Sequence, residues 1–160
     1  MCVLHKPLLK SRNPVYIHIS PFYNALMQIK YMVLLVFLFA AACNDVLTNK
    51  IKNTIIIAGL LTGGVLFFSK EAVTGLAVTF FILYPLYRIG WCGAGDVKLM
   101  MLTGFYLGTI ELFNCTLTIV GLAIIFAELC SYSEKKPLLK AEIPFAVPVF
   151  LGVIPHMLFR

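Results

Sequence analysis

The chain has 160 residues, 61% of them hydrophobic and only 12% charged, with a net charge of +6, whereas an ordinary soluble domain is about half apolar and about a quarter charged. A soluble fold of this length has no means of hiding so much apolar surface, so the composition excludes an ordinary globular protein and implies a helix bundle with lipid on its outside. The positive residues lie mostly between apolar runs, where they act as topology signals and contacts to anionic head groups; no nucleic-acid partner is implied.

Residues 1–24 carry Pro7, Pro14, Pro21, His5, His18 and several Lys and Arg, with no apolar run long enough to span and no small-residue cleavage site. They are set apart as an N-terminal extension, with residues 25–160 as the membrane core; Met27 and Met32 offer alternative starts that omit it. Six apolar segments follow, at about Ala25 to Asn44, Thr54 to Ser69, Ala72 to Ile89, Val97 to Ile110, Leu112 to Cys130 and Ile143 to Phe159. The expected fold is therefore all-α, a polytopic membrane bundle of about six transmembrane helices. Several segments fall short of the roughly 20 residues that cross a bilayer core, so they need snorkelling flanks or a thinned bilayer.

The links alternate in charge. Lys50 and Lys52 follow the first segment, Arg88 and Lys98 flank the third link, and Lys135, Lys136 and Lys140 fill the fifth, while the intervening links carry only Lys70. The positive-inside rule makes the first group cytoplasmic and places the N-terminus outside; Lys6, Lys10, Arg12 and Lys30 oppose that assignment. Gly59 with Gly63, and Gly104 with Gly108, have the spacing that lets helices approach closely.

Among seven acidic residues, two stand where acids are costly. Asp45 ends the first apolar run, after Ala41, Ala42, Cys43 and Asn44; Asp96 opens the fourth, within Gly93-Ala94-Gly95-Asp96-Val97-Lys98. Both fall at the same, cytoplasmic, face, and an acid at a helix end beside lipid is a functional candidate by default. If the two meet, like charges cannot both ionise comfortably and the pair shares a proton. One carboxylate then takes a proton from water while the other, protonated, polarises a peptide carbonyl. Gly93 and Gly95 are expected to supply backbone freedom and close approach for an extended peptide, and the dipole of the fourth helix favours negative charge at Asp96. A turn with an N-cap explains Gly-Ala-Gly-Asp equally well on its own.

The string Gly93-Ala94-Gly95-Asp96-Val97-Lys98-Leu99 resembles the GxGD motif, with its trailing Lys, of the prepilin and preflagellin peptidases, a family of membrane-embedded aspartic peptidases. Asp45, followed by Thr48-Asn49-Lys50-Ile51-Lys52-Asn53, is similar to the other aspartate of that family and its basic, Asn-containing sequel, and Ile143-Pro144-Phe145 is similar to the start of its last segment. The resemblance covers about residues 30 to 158. It implies Asp45 and Asp96 as catalytic residues, Gly93, Gly95 and Lys98 as substrate-binding or supporting residues, a pilin-like precursor as substrate, cleavage at the cytoplasmic side of the inner membrane, and no cofactor or metal. The paired cysteines of the bifunctional members are missing, so the chain looks like the short, peptidase-only type associated with tight-adherence pili. Lys52 stands where the family usually has Pro.

Other residues have plainer readings. Cys2, Cys43, Cys92, Cys115 and Cys130 lack CxxC spacing and read as packing residues. His5, His18 and His156 share no metal-ligand spacing. Lys98 either serves the site or snorkels to head groups; Glu128 is either a third acid or an interfacial partner of a lysine; Trp91 and Tyr87 read as interface anchors. Asn44, Asn49 and Asn53 are candidates to brace the loop around Asp45. The alternative function is a small proton- or cation-coupled transport or channel subunit, since paired membrane acids also mark ion pathways.

Overall fold

The computed structural model describes residues 14–48, 51–134 and 144–158, and these form six helices with no strand. They are α1 (Pro14–Thr48), α2 (Asn53–Leu66), α3 (Lys70–Ile89), α4 (Ala94–Leu107), α5 (Thr109–Glu134) and α6 (Ala146–Leu158). The six expected segments are thus six helices. α1 begins at Pro14, inside the stretch set apart as an extension, and runs past Asn44 to Thr48, so that Asp45 lies in its last turn.

Length divides the helices into two sets. Stretches of α1, α3 and α5 are long and apolar enough to cross a membrane: Ala25–Thr48, Lys70–Ile89 and Thr109–Ser131. By contrast α2 and α4 have 14 residues each and α6 has 13, about 21 Å for a 14-residue helix against the ~30 Å of a hydrocarbon core. The six spans expected are therefore three of full length and three short helices packed among them.

Short links make successive helices antiparallel. α3 starts sharply because the Ser69 side chain accepts the Ala72 N–H at 3.1 Å, an N-cap, and stops at Gly90, whose φ of 86° suits glycine. α4 ends at Gly108, φ 78°, and α5 follows at once. Gly108 ends the helix and also packs, since a Cβ on Gly75 would lie 2.9 Å from Gly108 Cα; the Gly104 and Gly108 spacing read from the sequence is a close approach to α3.

The core is built around α4, which touches all five other helices. Every residue from 102 to 108 is buried, as befits a helix with no lipid-facing side. α3 lies on it backbone to backbone: a Cβ on Gly104 would come within 2.8 Å of the Gly75 carbonyl oxygen. Thr79, buried in the same seam, satisfies its hydroxyl within α3 by donating to the Gly75 carbonyl at 2.6 Å. On the other side, Gly59 and Gly63 of α2 make room for Leu102 and Tyr106, and the Tyr106 hydroxyl donates to the Gly59 carbonyl at 2.9 Å. The Gly59 and Gly63 spacing read from the sequence is therefore a helix contact. The outer helices expose large apolar side chains, Phe81, Leu117 and Leu129 among them, as suits a lipid surround.

Candidate active site

Alternating helix directions bring the C-terminal end of α1 together with the N-terminal ends of α2, α4 and α6. Asp45 comes from the first and Asp96 from the third.

Asp45 is only 7% exposed, and its Oδ2 accepts the backbone N–H of Ala146 at 3.1 Å. Local sequence explains the contact. α6 starts just after Pro144, which has no N–H and a φ suited to helix entry, and the first N–H groups of a helix have no partner within it. The amide of Ala146 is such a group, and it lies at the end of α6 where the helix dipole favours negative charge.

Asp96 is the third residue of α4, and its Oδ2 accepts the Gly93 N–H at 2.9 Å. This is the carboxylate half of a capping box. Asp96 stands ahead of the apolar run and outside the three full-length spans. Burial pushes its carboxyl above the usual range; the Gly93 N–H pulls it back, and the negative charge of Asp45 pushes it up again. The two carboxylates are therefore close enough for one to make ionisation of the other harder. Next to them, the Cys92 thiol is raised by burial and by the charge of Asp96.

The glycines act differently from expectation. Among the described residues, only Gly90 and Gly108 have positive φ, while Gly93 has φ −76° and ψ 155°, open to any residue. What Gly93 provides is space: a Cβ there would lie 3.1 Å from Asp96 Oδ2. Gly95 lies against Ile51, with its Cβ position 3.4 Å from that side chain, an ordinary contact.

Lys98 is exposed and donates its Nζ hydrogen to Asn53 Oδ1 at 2.9 Å. Asn53 opens α2, so this bond ties the start of α2 to the start of α4. The Asn53 side chain thus serves Lys98, while Asn49 lies outside the described residues. Glu128 is exposed on α5, and Trp91 is 79% exposed beside the α3–α4 link, as an interface anchor would be. Of the cysteines, only Cys115 is buried; Cys43 is exposed, Cys92 and Cys130 are half-buried, and Cys2 lies outside the described residues. The Ala146 amide was not found from the sequence. The one signal for it was Pro144 ahead of an apolar run, which marks a helix start without saying what the start faces.

Fold and site together define a helical membrane protein with two acids gathered at one end of the bundle. The chain belongs to the type IV leader peptidase family, whose model matches residues 32–131. That match contains Asp45 and Asp96 and stops before α6. Comparison with curated proteins and with solved structures returned no match.

Proposed function

We propose that the protein is a membrane-embedded aspartic endopeptidase that removes the leader from pilin-like precursors, with Asp45 and Asp96 as its catalytic pair. Supporting this reading most directly is the position of the two acids at one end of the bundle, Asp45 in the last turn of α1 and Asp96 in the first turn of α4; burial is the main cause that raises Asp96, and the charge of Asp45 adds to it. Membership of the leader peptidase family supports the reaction class.

The surroundings suggest which acid does what. Asp96, raised chiefly by burial and further by its neighbour, is the proton donor; Asp45, whose Oδ2 accepts the Ala146 N–H, is the general base. Asp45 takes a proton from water, the hydroxide attacks the scissile carbonyl carbon, and Asp96 passes its proton to the carbonyl oxygen. In the collapse, the proton on Asp45 moves to the leaving nitrogen, the C–N bond breaks, and a hydroxyl of the diol returns a proton to Asp96. Neither acid is consumed.

The basic links at this end, with Lys52 and Arg88 on either side, favour the cytoplasmic face of the inner membrane. There the pair can reach a peptide bond just outside a substrate helix in the same bilayer. The test is co-expression of a pilin-like precursor with the intact protein, Asp45→Asn and Asp96→Asn at matched membrane levels. Shortening of the precursor by the intact protein alone supports the pair. Cutting by both variants, or by none of the three, defeats it, and ion-flux measurement would then examine the transport alternative.

A further inference from the structure

The end of the bundle remote from the aspartates holds a cavity of about 660 Å³, within the usual range of small-molecule sites, about 300–1,000 Å³. It exists because α2 and α4 are short. Their C-terminal ends, with Phe67 and Gly108, lie below the continuing wall of α1, which contributes Leu26, Met27 and Lys30. Three charged side chains line it: Lys30, Glu71 and Glu111. Lys30 is only 8% exposed. Tyr31 donates its hydroxyl to Glu111 Oε2 beside it. Lys30 lies within the Ala25–Thr48 stretch of α1, where a buried ionisable group is costly and marks a site of function; Glu111 is half-buried and Glu71 exposed at the helix starts beside it, and none of the three takes part in the proposed cleavage.

We propose that this cavity binds the phosphoethanolamine head group of a zwitterionic phospholipid. One cation with two anions leaves the lining net negative, which suits a ligand carrying its own cation and disfavours an anionic lipid. The phosphate faces Lys30, a compact ammonium well suited to it. The primary ammonium faces Glu71 and Glu111, with hydrogens to donate to both carboxylates, and a quaternary ammonium has none to donate. The rim explains why the ligand is a lipid. Leu66, Phe68 and Ile110 line the cavity and are 57%, 73% and 80% exposed, so acyl chains can leave the mouth along apolar side chains.

The inference stands on the other end of the bundle and is independent of the peptidase reading. The full chain, purified in mild detergent, is mixed with equal amounts of phosphatidylethanolamine, phosphatidylcholine and phosphatidylglycerol of matched chains. Lipid retained through gel filtration is then counted by mass spectrometry. The expected result is enrichment of phosphatidylethanolamine by about tenfold, the ratio that ~1.4 kcal/mol of differential affinity gives. Glu71→Gln, at an exposed position, should remove most of that preference, and Glu71→Lys should turn it toward phosphatidylglycerol. Soluble glycerophosphoethanolamine at equal concentration should not displace the lipid. Equal retention of the three lipids, a preference for phosphatidylglycerol in the intact protein, a preference unaltered in both variants, or binding of the soluble head group without the lipid would each overturn the proposal.

Discussion

The two ends of the bundle use the same local device and reach opposite electrostatic results. At one end Asp96 lies in the first turn of α4 and Asp45 meets the first amide of α6; at the other, Glu71 and Glu111 lie in the first turns of α3 and α5. Near the aspartates the charge of Asp45 opposes ionisation of Asp96, whereas the glutamates share their cavity with Lys30. Acids at helix N-termini are common and locally favoured. Under the two roles proposed above, what separates an acid for proton transfer from one for holding a ligand is the charge placed opposite it, which the tertiary fold decides.

The largest effect should come from breaking the repulsive pair. Asp45→Asn and Asp96→Asn should each lower precursor cleavage by about 10²–10⁴-fold, the usual contribution of a positioned acid or base. Glu71→Gln, at the other end, should leave cleavage unchanged. Initial rates of precursor shortening in membranes check both halves, and a large loss in Glu71→Gln would erase the distinction between the ends.

The next effect concerns what holds the ends in register. Gly104→Val puts a side chain into the Gly75 carbonyl and the Thr79 hydroxyl, where neither backbone can yield. A cost of about 1–3 kcal/mol or more is expected, as for an overpacked core, seen as a lower melting temperature in detergent together with reduced cleavage. Gly64→Ala is the control, because a Cβ there meets nothing within 4 Å. Equal melting of the two variants would show that the α3–α4 seam does not set the position of α4.

How far the sequence announces this arrangement varies by element. The apolar runs place all six helices to within a few residues, except for the start of α1, because lipid exposure leaves hydrophobicity as the dominant signal. Asp45 and Asp96 are legible for the same reason: each is an acid at the edge of such a run. Contacts distant in sequence are not legible. The Ala146 amide reaches Asp45 across 101 positions, and Gly75 finds Gly104 only when α3 folds back on α4. The close approach at Gly104 and Gly108 is legible as a spacing, but their common partner Gly75 is not, and neither is the positive φ by which Gly108 also ends α4. Gly93 looks like a conformational glycine and is a spatial one.

A smaller effect follows from the coupling of the aspartates. Asp96 is raised chiefly by burial and further by Asp45, so it holds its proton below its elevated value and loses it above. Cleavage should therefore fall as pH rises through that value. In Asp45→Asn the midpoint of Asp96 should move down, toward but not to the ordinary carboxylate range, because burial remains. Infrared spectra of the carboxyl stretch, with aspartate isotopically labelled, read that midpoint; an unmoved midpoint would show that the two acids do not interact.

The smallest effect separates two roles for Lys98. Its bond to Asn53 is exposed, and pairs of this kind contribute under about 1 kcal/mol to stability, so Lys98→Met should melt close to the intact protein. If the lysine works by tying α2 to α4, Asn53→Ala should raise KM by the same factor as Lys98→Met, and the double variant should add nothing, since residues acting through one bond are not additive. If instead Lys98 raises KM alone and the two changes add, its amine acts on the substrate backbone directly. The first outcome is expected, because the amine already lies at hydrogen-bond distance from Asn53, and the helix starts it joins are those beside the two aspartates.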